Sequence, residues 1–200
     1  MNPEPTAALH APALVRALLR AIHQERLDLL HLAATQRSKY EGWLKFELGA
    51  ALVTHSKVQH VRFEPPYAGG KADLTFTHAG RTYFIELKTA NTSWRAEGLE
   101  NRRRPITKNI NRIIDDIAKL RRIAPDVGGG LCAFTLFPIP TPIWQEDTRK
   151  LDYHLQRIAT ATDLTLDSLR QHADFVSLTP AFGIGIFVLQ VPSSSPGSVQ

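Results

Sequence analysis

Two carboxylates and an amine lie close together in a hairpin that the sequence predicts from Gly70 onward. The first arm carries Asp73, and after twelve further residues the second arm carries Glu86 and then Lys88. A two- or four-residue loop within residues 77–80 places Asp73 directly opposite Glu86. Opposed residues project from one face with about 5 Å between Cβ atoms, and Lys88 shares that face because the side-chain period of a strand is two. This concentration of charge is typical of a divalent-metal site.

The charges in this cluster indicate what it would bind. Like charges held this close repel and raise a pKa unless a cation or a proton lies between them. Mg²⁺ suits such a pair, since it prefers oxygen ligands and completes its coordination with water and substrate phosphate. Lys88 would then orient the nucleophile or stabilise developing charge. The competing interpretation is a solvent-exposed strand with an ordinary Glu–Lys pair.

The two faces of the predicted hairpin differ in polarity. Phe84 is the one large apolar residue on the Asp73 face, so we expect that face to be partly covered. The opposite face is expected to be buried, and it carries Leu74, Phe76, Tyr83, Ile85 and Leu87.

The hairpin pattern resembles the signature of the PD-(D/E)xK nuclease superfamily. The match is Ala72-Asp73, then twelve residues, then Glu86-Leu87-Lys88, with Ala72 in the place of a proline that is not a ligand. The resemblance implies the restriction-endonuclease-like fold, an α/β architecture with a mixed β-sheet flanked by helices, here with an N-terminal helical extension. It also implies hydrolysis of nucleic-acid phosphodiester bonds with Mg²⁺ or Mn²⁺ as the cofactor.

The resemblance assigns roles to the matching residues. Asp73 and Glu86 are expected to bind the metal, with the Leu87 carbonyl as a further ligand. Lys88 is expected to position the attacking water. Members of the family usually supply one more acid from the first helix.

The choice of that third acid rests on the helix predicted over residues 38–53. Glu47 lies on the same helical line as Leu44, inside the apolar face, whereas Glu41 lies on its flank. An acid in a buried stripe is disfavoured unless it has a charged or hydrogen-bonded partner. We therefore predict Glu47 as the third catalytic acid, with Glu41 behind it, and interpret Glu64 as a solvated carboxylate at a strand end.

Basic residues are concentrated immediately after the hairpin. Residues 91–124 contain nine basic and four acidic residues, and the resulting +5 equals the net charge of the whole chain. A basic segment beside a metal-ligand strand fits a phosphate-backbone footprint, so we predict nucleic acid as the partner. DNA is favoured over RNA, although the sequence does not decide between them. Trp94 is expected either to stack on a base or to pack down on the protein. The predicted nucleic-acid contacts are Arg102, Arg103, Arg104, Lys108 and Arg112.

Length and composition indicate one small domain. Two hundred residues, 43% of them hydrophobic, exceed a minimal α/β core and fall short of two comfortable domains. We assign residues 1–35 to an N-terminal helical extension, which packs on the core or supports a homodimer. Residues 36–191 form the nuclease-like domain and 192–200 a disordered tail. With no apolar segment of about 20 residues and no signal-peptide pattern, we expect a cytoplasmic protein without a membrane partner.

Other classes of site lack their motifs. Cys132 is the single cysteine, which excludes an internal disulfide and a Cys-based zinc site. The eight histidines show no paired metal spacing, and no serine lies in a Gly-x-Ser-x-Gly elbow.

The alternative to a nuclease is a non-catalytic nucleic-acid-binding or assembly module that retains the fold. The intact Asp-Glu-Lys set argues against that alternative.

Hydrophobic periodicity predicts the elements that must position these residues. A strand precedes the hairpin, a helix with an isoleucine stripe follows it, and a continuous apolar run is suited to a central strand. The predicted bounds are strand 58–63, helix 106–123, strand 131–137, helix 146–159, and strands 175–178 and 184–191.

Overall fold

A mixed β-sheet with helices on both faces carries the residues singled out above. The structure, a computed structural model, describes residues 10–99 and 106–193. In chain order its elements are α1 (Ala11–Glu25), α2 (Leu27–Thr35), α3 (Glu41–Thr54), β1 (Val58–Phe63), β2 (Pro66–Tyr67), β3 (Gly70–Lys71), β4 (Leu74–His78), β5 (Arg81–Asn91), α4 (Ile106–Leu120), β6 (Gly129–Pro140), α5 (Thr141–Gln145), α6 (Arg149–Thr162), α7 (Leu166–Gln171), β7 (Ala173–Ser177) and β8 (Phe182–Val191).

The main sheet has six strands in the order β1-β4-β5-β6-β8-β7, and β2 pairs with β3 in a small separate ladder. β5 and β6 are parallel, whereas the other neighbouring strands are antiparallel. A parallel pair requires a crossover connection, and α4 lies within it. The predicted α/β class, with a mixed sheet flanked by helices, is confirmed.

The hairpin of β4 and β5 has the register that the sequence predicts. His78 faces Arg81 across a two-residue loop, and the pairing continues to Leu74 opposite Ile85. The loop residues Ala79 and Gly80 have φ values of 50° and 75°. Positive φ at both central positions is the requirement of the type I′ turn, which matches the twist of the flanking strands. The register places the predicted site residues at the open end of the hairpin, away from the turn.

One face of the sheet packs against the N-terminal helices. Leu74, Ile85 and Leu87 on this face are fully buried, and they share one hydrophobic cluster with Leu19 of α1 and Leu44 of α3. Burial of such side chains contributes roughly 1.5–3 kcal/mol each. Of the two arrangements expected for the N-terminal helices, packing on the core is therefore the one seen, and α1 and α3 together cover the apolar back of the hairpin.

The other face of the sheet packs against α4 and α6. Ile110, Ile113 and Leu120 on one side of α4 are fully buried, in one cluster with Phe134 of β6 and with Phe84. The Asp73 face of the hairpin is thus partly covered, as Phe84 indicates. Charged groups on this face consequently lie at the border between α4 and solvent.

The bounds of several elements differ from those predicted. β6 runs to Pro140, although its prolines indicate a stiff connector after residue 137. A register shift between Leu136 and Ile139 accommodates the missing N–H of Pro138 inside the strand. The helix predicted from residue 146 is α6, which begins at Arg149. The predicted tail beyond residue 193 lies outside the described residues.

Candidate active site

An open strand edge lies where β4 separates from β5. β5 continues six residues beyond Ile85, the last residue in its ladder with β4. Backbone N–H groups on such an edge need other partners when they are buried. Leu87 donates its N–H to Asp73 Oδ2 at 2.8 Å, and Thr89 donates to Glu41 Oε2 at 3.0 Å. Two carboxylates therefore take the place of the missing strand. We call the open edge of β5 at Leu87 and Thr89, with the acids Asp73 and Glu41 that cover it and the neighbouring Glu86 and Lys88, the notch.

Glu86 lies on the α4 side of the notch and is nearly buried, with 6% of its surface exposed. Burial raises its pKa to about 7, and the negative charges of Asp116 and Asp73 act in the same direction. Tyr67 opposes this shift by donating its hydroxyl to Glu86 Oε1 at 2.9 Å. The positive charge of Lys119 also lowers the pKa of Glu86, but burial outweighs it, so the negative charge of Glu86 is compensated only in part.

Asp73 has a similar environment. Burial raises its pKa, and the charge of Glu41 adds to that effect. The Leu87 N–H and the ammonium groups of Lys45 and Lys88 act in the opposite direction. Lys45 Nζ lies 3.8 Å from Asp73 Oδ1. The acids predicted as metal ligands are therefore desolvated, and cations compensate them only in part.

Lys88 is held between two acids from different helices. Its Nζ lies 3.3 Å from Glu41 Oε1 and 3.3 Å from Asp116 Oδ2. Burial disfavours the charge of this lysine, but the two carboxylates outweigh that effect and keep its pKa above the ordinary value. Lys88 is accordingly a fixed cation near neutral pH and has no capacity to act as a base there.

The structure places Glu41, not Glu47, at the notch. The buried side of α3 consists of leucines such as Leu44, and Glu47 stands at the border of this side with 32% of its side chain exposed. Trp43 Nε1 donates to Glu47 Oε1 at 3.1 Å, and Arg26 lies 4.0 Å away. Glu41 is the first residue of α3, and its Oε2 accepts the Thr89 N–H at the open edge of β5. The expectation that Glu47 lies in the buried stripe is wrong, because that stripe runs one residue further along the helix.

Sequence reasoning also missed Asp116. This residue lies on the buried side of α4, three residues after Ile113 and four before Leu120, and it is 4% exposed. Lys119 donates to its Oδ1 at 2.6 Å. The criterion of an acid inside an apolar stripe identifies Asp116 when it is applied to α4. Its proximity to Lys88, in contrast, is a tertiary contact without a local signal.

The predicted nucleic-acid contacts are only partly within the described residues. Lys108 and Arg112 are exposed on α4, one turn apart. Lys119 falls on the same helical line, so a basic stripe runs along α4 and ends beside Asp116. Arg102, Arg103 and Arg104 lie outside the described residues.

The donor set of the notch fits a metal of the magnesium type only as a two-carboxylate site. Within residues 10–99 and 106–193, no three His, Cys, Asp or Glu side chains are grouped to hold a metal ion. Magnesium, however, needs one or two carboxylates besides water and phosphate. Leu87 directs its N–H to Asp73, and the carbonyl of a residue in an extended strand lies on the same edge as its N–H. Burial raises the pKa values of Asp73 and Glu86, and a bound cation would favour the charged form of each carboxylate.

Comparisons of the chain with protein-family models, with curated proteins and with solved structures found no significant match. No described helix combines the length and the apolar character that crossing a bilayer requires.

Proposed function

We propose that the protein is a metal-dependent nuclease that hydrolyses phosphodiester bonds of nucleic acid, DNA rather than RNA. The observation that carries this proposal is the notch, where Asp73, Glu86 and Lys88 gather beside an acid from α3 at the open edge of β5. The element order α3-β1-β4-β5-α4-β6 supports the restriction-endonuclease-like fold that the Asp-x12-Glu-x-Lys pattern implies.

Asp73 and Glu86, with the Leu87 carbonyl, are the groups that would hold Mg²⁺ or Mn²⁺. When bound, such an ion neutralises phosphate charge and lowers the pKa of a bound water. Tyr67 engages Glu86 Oε1, which leaves Oε2 as the ligand oxygen. Asp73 likewise uses Oδ2 for the Leu87 N–H and presents Oδ1. Each carboxylate is therefore oriented by one oxygen, and the other oxygen, which in Asp73 faces Lys45, would bind the metal.

Lys88 supplies the fixed positive charge of the proposed mechanism. Glu41 and Asp116 hold its Nζ from two sides, so the ammonium is positioned before substrate arrives. In this position it donates hydrogen bonds to the attacking water and stabilises charge that develops on the phosphate. Pre-positioned charge in a partly desolvated site is worth more than the same charge in water.

Cleavage assays on the purified chain test the proposal. Plasmid, single-stranded DNA and RNA are incubated with Mg²⁺, with Mn²⁺ or with EDTA. We expect the wild type to cleave DNA in the presence of Mg²⁺ or Mn²⁺. EDTA should abolish this cleavage, and the Asp73→Asn variant should lack it. Asp115→Asn is the matched control, because Asp115 is exposed on α4 beside Asp116. This variant should cleave at the wild-type rate. Absence of cleavage in every combination would refute the proposal.

A second candidate function is a non-catalytic nucleic-acid-binding or assembly module. Lys45 and Lys88 already partner the acids of the notch without a metal, and the described residues hold no three-ligand metal cluster. This function predicts nucleic-acid binding that is equal in Mg²⁺ and in EDTA, with no cleavage. The same set of reactions therefore distinguishes the two.

A further inference from the structure

A second concave site lies beyond the end of β5, between α6 and the segment that follows the strand. Its volume is about 440 Å³, within the range of small-ligand pockets. Three aromatic rings, two cations and one acid contribute to its lining, namely Trp94, Tyr153, His154, Arg149, Lys150 and Asp147.

The aromatic rings provide both a rigid floor and an exposed platform. Trp94 is 8% exposed, so the expectation that it packs down is the one confirmed. Arg37, itself 2% exposed, fixes its backbone by donating to the Trp94 carbonyl at 2.8 Å and to the Thr92 carbonyl at 2.6 Å. Tyr153 is 65% exposed, and a tyrosine that stands open beside a pocket is suited to stacking on a planar ligand.

His154 forms part of the wall and has an unmet hydrogen bond. It is 8% exposed, and its Nδ1 has no hydrogen-bond partner in the described part of the chain. Its ring lies 5.1 Å from that of Tyr153 and 6.3 Å from that of Trp94. Burial lowers the pKa of His154, and the charge of Arg157 adds to this effect, which favours the neutral ring. A neutral imidazole can both stack and accept a hydrogen bond.

The rim of the pocket is suited to an anion. Arg149 and Lys150 are the first two residues of α6, and both are exposed. They lie at the helix N-terminus, where the backbone N–H groups and the helix dipole favour negative charge. Arg149 donates two hydrogen bonds to Asp147, at 2.8 and 3.1 Å, and its side chain is 89% exposed, so a phosphate can approach the guanidinium from solvent. Aromatic rings beside two cations are the elements that recognise a nucleotide.

We propose that this pocket binds an unstacked nucleobase of a single nucleic-acid strand, with the adjoining phosphate held by Arg149 and Lys150. The nature of this ligand rests on the proposed nuclease function. Trp94 follows Lys88 by six residues, which span at most roughly 20 Å of extended chain. Stacked nucleotides are spaced about 3.4 Å apart, so this span corresponds to at most roughly six nucleotides between the notch and the pocket. It thereby fixes the position of the strand relative to the scissile phosphate.

Binding measurements in EDTA test the pocket without any cleavage. The probes are a short oligothymidine, an abasic strand of the same length, and thymidine monophosphate. Tyr153→Ala should weaken binding of oligothymidine by roughly 5- to 150-fold, the equivalent of about 1–3 kcal/mol for one stacked base, and leave the abasic strand unaffected. Phe46→Ala is the matched control, since Phe46 is 61% exposed on α3 and its loss should change neither affinity. Arg149→Ala combined with Lys150→Ala should weaken both strands equally.

The outcomes separate this proposal from the nuclease proposal. An unchanged affinity of Tyr153→Ala for oligothymidine, or an equal loss for both strands, would overturn the base pocket while the cleavage assay stands. Equal affinity of the wild type for thymidine monophosphate and oligothymidine would make a mononucleotide the ligand and overturn binding of a strand. Base-dependent binding without any cleavage would leave the pocket in place and remove the nuclease proposal.

Discussion

Substitution of Lys88 separates the proposed chemistry from folding. Lys88→Met keeps the aliphatic volume and removes the ammonium that lies 3.3 Å from both Glu41 and Asp116. Each contact corresponds to a gross attraction of about 5 kcal/mol at an effective dielectric constant of 20. Desolvation of the ions cancels most of that attraction. Asp116 also keeps Lys119 at 2.6 Å, so it does not become an unpaired buried charge.

We therefore expect Lys88→Met to lower the free energy of unfolding by only about 1–2 kcal/mol without metal, or Tm by about 2–8 °C. Cleavage should fall at least about 100-fold, the usual scale for loss of one pre-positioned charge. The double variant Lys88→Met with Asp116→Asn also removes one of the two carboxylates that Lys88 contacts, and it should recover part of the stability. It should recover none of the activity.

The assays are thermal or urea unfolding in EDTA and single-turnover cleavage in Mg²⁺. Cleavage by Lys88→Met at the wild-type rate would refute the assigned role. A loss of stability above about 4 kcal/mol would refute the energetic argument, since it would make Lys88 an essential structural ion pair. Recovery of activity in the double variant would show that the ammonium acts only by neutralising Asp116.

Three further predictions concern other residues of the site. Glu41→Gln should reduce cleavage at least about tenfold in single-turnover assays, whereas Glu47→Gln on the same helix should not. Equal rates for the two variants would contradict a specific role of Glu41 in the site. Because burial raises the pKa of Glu86 from 4.5 to about 7, folded protein binds more protons than unfolded protein between these values. Stability in EDTA should therefore fall as pH rises from about 4.5 to 7, by less than about 3 kcal/mol, and the slope should be smaller in urea titrations of Glu86→Gln. Lys108→Ala with Arg112→Ala should flatten log K against log [salt] for duplex DNA by about 0.9 per lost phosphate contact, and an unchanged slope would mark both as solvated helix residues.

Local patterns predicted the hairpin and its register because those features depend on neighbouring residues. Alternation set the two faces, and the loop length set which residues oppose each other. The acid of α3 was predicted less well, since helical periodicity fixes a face only to within one residue. Glu41 faces the notch because β4 stops pairing at Ile85, and no pattern within α3 encodes where a distant strand ends. Asp116 illustrates both cases, since its buried position has a local signal and its contact with Lys88 has none.

The open edge of β5 explains why its acids have both structural and chemical roles. Asp73 accepts the Leu87 N–H with Oδ2, and Glu41 accepts the Thr89 N–H with Oε2. The remaining oxygens, Oδ1 and Oε1, face the ammonium groups of the site. A strand that paired fully with β5 would accept hydrogen bonds from the same N–H groups, and no hydrogen bond to β5 would then compensate the burial of these carboxylates. Because β4 ends early, the N–H groups of Leu87 and Thr89 have no partner strand and bind the two acids instead. The same hydrogen bonds fix the orientation of the carboxylates in the proposed site.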